Sequence, residues 1–499
     1  MPDALTDLKS RLGRIDDLTS AAEVLSWDQE TYMPPGGADA RAQQLSTLHT
    51  LAHEQLTDDA TGALIEQATD ELNGVDRTDP DVALVRVARH DYERARRVPA
   101  ALVRRMSEAV SQAKEAWKAA READDFAAFA PHLKRIVALN VEKAEALGYE
   151  NERYDALLDE YEPGMTTETV ATTFQTLRDD LVPIVDAIAE APPIDDSVLR
   201  RHYPEEAQKT FGETIMAEIG YDFERGRQDV SAHPFTTSFA IGDVRLTTRY
   251  DESYLPSALF SMLHEAGHGL YEQGIDPVFD RTPVADGASL GMHESQSRFV
   301  ENMLGRSRAF WEHYFPRAQG AFPEALSDSD AETFYRAVNC VEPSLIRVEA
   351  DEVTYNLHVM LRFELERGLV RGDVAVDDLP GLWNERMDEY LGVVPDTDAN
   401  GVLQDVHWSL GSIGYFPTYA LGTLMSAQLW DALQDDLPDV QTRVAHGQFG
   451  AVLNWLRTQV HRHGRTFEAP DLLERVTGQS LTAEPWLDYV RTKFGALYD

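Results

Sequence analysis

A chain of 499 residues with 43% apolar residues can bury a large core, which excludes global disorder. A formal net charge of −41, from 86 acidic against 45 basic residues, repels phosphate backbones and excludes nucleic acid as a natural partner. The single cysteine, Cys340, excludes an internal disulfide or a thiolate metal cluster. The opening Met-Pro-Asp-Ala-Leu-Thr-Asp has no basic stretch before an apolar run, so no secretory signal is expected. No stretch approaches 18 uncharged apolar residues, so no membrane partner is expected. Cytoplasmic residence follows as the default. The acidic excess, with only seven lysines, points to a high-salt cytoplasm in which screening relieves self-repulsion.

In chain order, apolar positions at i, i+3, i+4 and i+7 predict helices over Val82–Arg97, Ala100–Ala120, Phe126–Gly148 and Thr167–Glu190. Pro183 is expected to kink or split the last. No repeat, low-complexity tract or long linker interrupts the pattern, which predicts one mainly helical, all-α body. Thr236–Tyr250 breaks the helical period. Its β-branched and aromatic content predicts a β-hairpin turning at Gly242-Asp243, able to pair with an extended peptide.

The next helix runs from Pro256 to Gly274 and carries His264-Glu265-Ala266-Gly267-His268. Histidines at i and i+4 lie one turn apart on one face, so two imidazoles can converge on one ion. Glu265 points beside that ion, where its carboxylate can take a proton from a polarised water. Gly267 and Gly269 fit where something approaches the helix closely. A catalytic zinc needs a third protein ligand. Glu294 or His293, on a helix predicted over Leu290–Asn302, can supply it; Glu301 is a weaker rival.

Two later segments concentrate polar chemistry. Ile346-Arg347-Val348-Glu349-Ala350-Asp351 offers an arginine on a mostly apolar helix, where a guanidinium can clamp a carboxylate or simply pair with an internal acid. Gln404, Asp405, His407 and Trp408 run into a glycine-broken aromatic stretch with Tyr415 and Tyr419. A histidine and a tyrosine there can donate to the oxyanion of a tetrahedral intermediate.

Together these stretches resemble the carboxypeptidase Taq family of metallocarboxypeptidases. The resemblance rests on His233-Pro234-Phe235, Asp243-Val-Arg245-Leu-Thr247, His264-Glu265-Ala-Gly-His268 and His293-Glu294-Ser-Gln296. Ile346-Arg347-Val-Glu-Ala350-Asp351, Gly401-Val-Leu-Gln404-Asp405-Val-His407-Trp408 and the N-terminal Trp27-Asp-Gln-Glu-Thr-Tyr-Met33-Pro34 extend it over essentially the whole chain. It implies a single helical domain with a deep groove, akin to neurolysin and angiotensin-converting enzyme. Helices up to about residue 190 would form one wall, and residues 191–499 would carry the metal site. It also implies a homodimer that releases single C-terminal residues from peptides with broad preference, using zinc or, as a substitute, cobalt.

Carried over residue by residue, the resemblance makes His264, His268 and Glu294 the metal ligands and Glu265 the base and acid. It makes Arg347 the clamp for the substrate's terminal carboxylate. His407 and Tyr415 become oxyanion donors, with Tyr419 competing for the tyrosine's role. His233, Arg245 and Gln404 join Arg347 and Tyr419 as expected substrate contacts. Two other readings stay open: an endo-oligopeptidase with the same metal, and a non-catalytic helical peptide-binding protein with a structural metal.

Overall fold

A computed structural model describes residues 3–498. Among the described residues, twenty-one α-helices and one three-stranded sheet make a mainly helical protein, as the period of apolar residues predicts. The four early helices are observed at Pro80–Arg97, Ala100–Ala123, Phe126–Leu147 and Thr167–Glu190. Local chemistry fixes their starts. Asp125 and Thr166 accept from the backbone N–H groups of Ala128 and Thr169, satisfying donors that a first turn leaves open. Pro183 does not split its helix, which runs unbroken for 24 residues. Leu177, Leu181, Val185 and Ile188 bury one continuous face across it, and tertiary packing of this kind offsets one lost backbone hydrogen bond.

The chain forms two compact units, each assembled from three separate stretches. One comprises the chain up to Arg96, Asp195–Val338 and Leu429–Gln479. Its core includes the fully buried Trp311, Phe310 and Tyr314, with Trp311 set against Phe334 at 4.4 Å between ring centroids. The other comprises Arg97–Ile194, Asn339–Gln428 and the chain from Ser480. There Tyr154 and Phe174 both pack edge-on to Phe363. Both units draw on segments before and after residue 190.

The sheet belongs to the first unit. Strands β1 (Gly226–Val230), β2 (Thr236–Ala240) and β3 (Asp243–Thr248) are ordered β1-β3-β2. The expected hairpin is β2–β3, antiparallel, but its turn falls at Ile241-Gly242, and Asp243 already belongs to β3. Strand β1, parallel to β3, was not expected, because Gly-Arg-Gln-Asp-Val has little β propensity of its own. It leaves β2 at the edge of the sheet.

Candidate metal centre

The helix Leu255–Gly274 starts on Pro256, tolerated in a first turn, and buries one long face that includes Leu259, Leu263 and Leu270. Gly267 explains how a second helix comes so near. A Cβ at this position would lie 2.4 Å from the Gln296 carbonyl oxygen and 2.6 Å from the Ser297 Cα. Only glycine lets the backbone of Leu290–Arg298 pass there. Gly269 plays the same part toward the Tyr221 ring and Leu246 of β3, which seats the sheet on the same helix. Leu290–Arg298 is started by Ser289, whose hydroxyl accepts from the Met292 N–H. Beyond Arg298 the helix widens into π-type turns over Phe299–Leu304, a local form frequent at functional sites.

These approaches bring His264, His268 and Glu294 together, with one ligand atom from each lying within 4.8 Å of the others. Glu294 Oε2 is 3.5 Å from His264 Nε2 and 3.4 Å from His268 Nε2. The far nitrogen of each ring is fixed: His264 Nδ1 lies 3.0 Å from Glu301 Oε2, and His268 Nδ1 lies 3.1 Å from the His293 carbonyl. Arg298 Nε donates to Glu294 Oε1 at 2.8 Å, and its Nη1 donates to Glu301 at 3.2 Å. Two imidazoles and a carboxylate with convergent lone pairs, each oriented from behind, fit a divalent transition metal. Glu301, the rival ligand, stands behind His264. His293 is turned away: its Nε2 meets Glu272 Oε1 at 2.8 Å, and its ring stacks on His268.

Electrostatics keep two of the three side chains ready for a cation, while at His264 burial lowers the imidazole but Glu294 and Glu301 outweigh it and raise it above its ordinary value. Burial pushes the Glu294 carboxyl up, but Arg298, His264 and His268 outweigh it and hold the group well below the usual range. Burial, with His293 nearby, lowers His268 to about 3, so this ring is a neutral donor. Glu265, also buried, is raised by burial and accepts the Thr236 hydroxyl at 2.6 Å. Thr236 begins the edge strand β2, and nothing in the linear sequence singled it out.

The second unit holds the other polar cluster. Arg347 is only 4% exposed and lies on a short 3-10 turn, Arg347–Glu349, rather than on the expected apolar helix. Asp351 ends that possibility: its carboxylate accepts from the backbone N–H groups of Glu342, Val353 and Thr354, tying the chain into a loop. Three of the five Arg347 N–H groups are engaged, two by Asp405 (Nη2 at 2.7 Å, Nε at 3.2 Å) and one by Tyr355 Oη at 2.9 Å. Gln404 accepts the Arg347 backbone N–H and donates to the Leu345 and Asn400 carbonyls, so it pins the turn. His407 sits beside Asp405, with Nε2 3.4 Å from Tyr419 Oη and its ring 5.3 Å from that of Tyr415. Burial lowers His407 to about 4, against the pull of Asp405, so it is neutral near pH 7.

Two expected contacts are less centrally placed. His233 is exposed, and its carbonyl accepts from Ser231 Oγ. Arg245 forms a two-pronged pair with Asp243, at 2.9 and 2.8 Å, and stacks on Trp27.

A helical body with a His-Glu-x-x-His helix and a downstream glutamate converging on one point defines the class of metallopeptidases. The sequence pattern of the carboxypeptidase Taq (M32) metallopeptidases matches residues 7–494. Thermostable carboxypeptidase 1 of Thermus thermophilus is 44% identical over 492 residues, covering 96% of each chain. Carboxypeptidase 1 of Bacillus subtilis is 38% identical, covering 98% of this chain and 97% of its own. A crystal structure of an M32 carboxypeptidase from Deinococcus radiodurans R1 superposes with a TM-score of 0.97 at 43% identity, covering 99% of both chains. The chain belongs to the carboxypeptidase Taq family and is a metal-dependent carboxypeptidase. No helix among the described residues is long and apolar enough to cross a membrane.

Proposed function

We propose that this carboxypeptidase uses zinc, with cobalt as a working substitute, held by His264, His268 and Glu294. The convergence of these three side chains, with Glu265 beside them, carries the reading. Two nitrogens and one carboxylate suit zinc, and three protein ligands leave a position open. When bound, such a metal polarises the scissile carbonyl and acidifies a water to about pKa 7. Glu265 takes the proton of the attacking water and passes it to the leaving amine. Thr236 holds the Glu265 carboxylate in place through its hydroxyl.

Arg347, kept cationic and rigid by Asp405 and Tyr355, has N–H groups left to receive the terminal carboxylate of a peptide. This register releases one residue at a time, with broad preference. Gln404 acts through Arg347. His407, a neutral donor, and Tyr415 or Tyr419 stabilise the oxyanion, an effect of about 3 kcal/mol per donor in comparable sites. His233 and Arg245 line the approach of the peptide, Arg245 through the β3 strand that it stiffens. The working form is a homodimer. It operates in a high-salt cytoplasm.

The test is a peptide ladder read by mass spectrometry with free and amidated C-termini. Single residues should leave only from the free form, and a chelator should stop the reaction until zinc or cobalt is restored. Glu265→Gln should keep its metal yet lose at least about a hundredfold in turnover. Internal cleavage of amidated peptides would favour the endo-oligopeptidase reading, and a metal-loaded Glu265→Gln enzyme with near-normal turnover would remove Glu265 as the base.

A further inference from the structure

At the C-terminal end of the metal-bearing helix, a surface depression of about 410 Å3 is lined by Arg225, Arg457 and Arg462, with Asp276 the single acid in its wall. Three guanidinium groups less one carboxylate give its lining a charge of +2 (3 − 1 = 2), on a chain whose net charge is −41. With nearly two acids for every base, a cationic hollow is not what chance placement leaves on this surface. We propose that this depression binds a small dianionic oxyanion of the phosphate class, either free or as the phosphate group of a larger ligand.

The pairing of the arginines supports this. Arg225 spends Nε on Asp222 at 2.9 Å and Nη1 on the Gln273 carbonyl at 3.0 Å. That second bond satisfies one carbonyl at the negative end of the helix and sets a cation there, which offsets part of the opposition to an anion. Arg462 reaches Asp276 only at 3.4 Å. Arg457 has no carboxylate within ion-pair distance among the described residues, although it is half-buried. Burial and the neighbouring Arg225 outweigh the more distant Asp222 and hold its ionisation below the usual range, as for a cation with too little counter-charge. An oxyanion between Arg457 and Arg462 supplies that charge and accepts planar N–H forks in pairs.

The hollow is also firm. A Cβ at Gly274 would strike the His461 ring at 2.7 Å, and the Asp276 N–H bonds the Arg462 carbonyl at 3.3 Å. Helix end and arginine loop are therefore locked together before any ligand arrives, which lowers the ordering cost of binding.

The test is calorimetric titration of the metal-loaded full chain with inorganic phosphate, at an ionic strength held constant with chloride. Saturable binding of one phosphate per chain is expected, with a matching rise in unfolding temperature. Arg457→Gln should weaken it on the order of tenfold or more. Arg462→Gln, at a half-exposed side chain, should weaken it less and serves if the first variant fails to fold. A parallel titration with glycerol phosphate separates a free-phosphate site, which it would not fill, from a phosphoester site, which it would. No phosphate binding above chloride, or binding untouched by both substitutions (as for phosphate on the metal itself), would overturn the proposal.

Discussion

Glu366 is fully buried beneath the segment that carries His407 and Tyr415, and it accepts from Tyr154 Oη, Trp408 Nε1 and the Gly414 N–H at 2.7, 2.8 and 2.9 Å. Burial nevertheless pushes its carboxyl up from 4.5 to about 7. A folded-state value above the unfolded one means the native protein holds the proton more tightly. The contribution of Glu366 to stability is therefore full below about pH 4.5 and is lost as pH rises to about 7, beyond which it is flat. Glu366→Gln cannot ionise, so its stability relative to wild type should climb across that window by up to about 1.4 kcal/mol per pH unit. Urea midpoints of both proteins between pH 4.5 and 8 measure this; parallel profiles would mean the carboxylate stays charged throughout. Trp408 stands in a stretch whose polar chemistry is legible in the sequence, but its acceptor Glu366, some forty residues away, is not. The same limit applies at the metal. His264 and His268 were legible because one helix fixes their spacing. Choosing Glu294 over the adjacent His293 depends on how a second helix is rotated, and Thr236 depends on where a sheet edge docks.

Gly267 shows what the element scale adds to that difference. The helices Leu255–Gly274 and Leu290–Arg298 contribute two candidate ligands and one, so their separation sets the size of the candidate metal site. A methyl at Gly267 meets backbone atoms, which cannot rotate away. Gly267→Ala gains about 1 kcal/mol of helix propensity but should lose more to overpacking, typically 1–3 kcal/mol, and should draw Glu294 away from the imidazoles. Lower thermal stability together with weaker metal retention is the expected pair of results, read by melting and by metal analysis after dialysis. Gly269→Ala, which meets mainly the Tyr221 ring and Leu246 side chain, should cost less. A Gly267→Ala protein as stable and as metal-retentive as wild type would show that the two helices have slack. Helix positions were readable because an amphipathic period repeats over many residues. Strand β1 and the Arg347 turn were not, since a five-residue strand with three polar side chains and a loop tied by Asp351 carry no period.

At the scale of the whole molecule, −41 charges must be held on one folded surface. Many exposed arginines sit in ion pairs, such as Arg105 with Glu142 and Arg317 with Glu218, but such pairs are each worth little, and the acids outnumber them. Self-repulsion among the rest acts over about 10 Å at 0.1 M salt and about 3 Å at 1 M. The unfolded chain spreads the same charge over a larger volume, so screening favours the folded state more. The unfolding temperature should therefore rise steadily from 0.1 M to molar potassium chloride. Sodium chloride should give the same rise if screening is the cause, and sulfate a larger one through surface exclusion. The metal centre should respond differently, because its ion pairs are buried and screened much less: Arg298 with Glu294 is mostly out of water. Metal affinity should thus change little over the range in which the melting temperature climbs. A melting temperature that is flat or falling with salt would separate the acidic composition from any high-salt habitat, and would leave solubility as its remaining physical consequence.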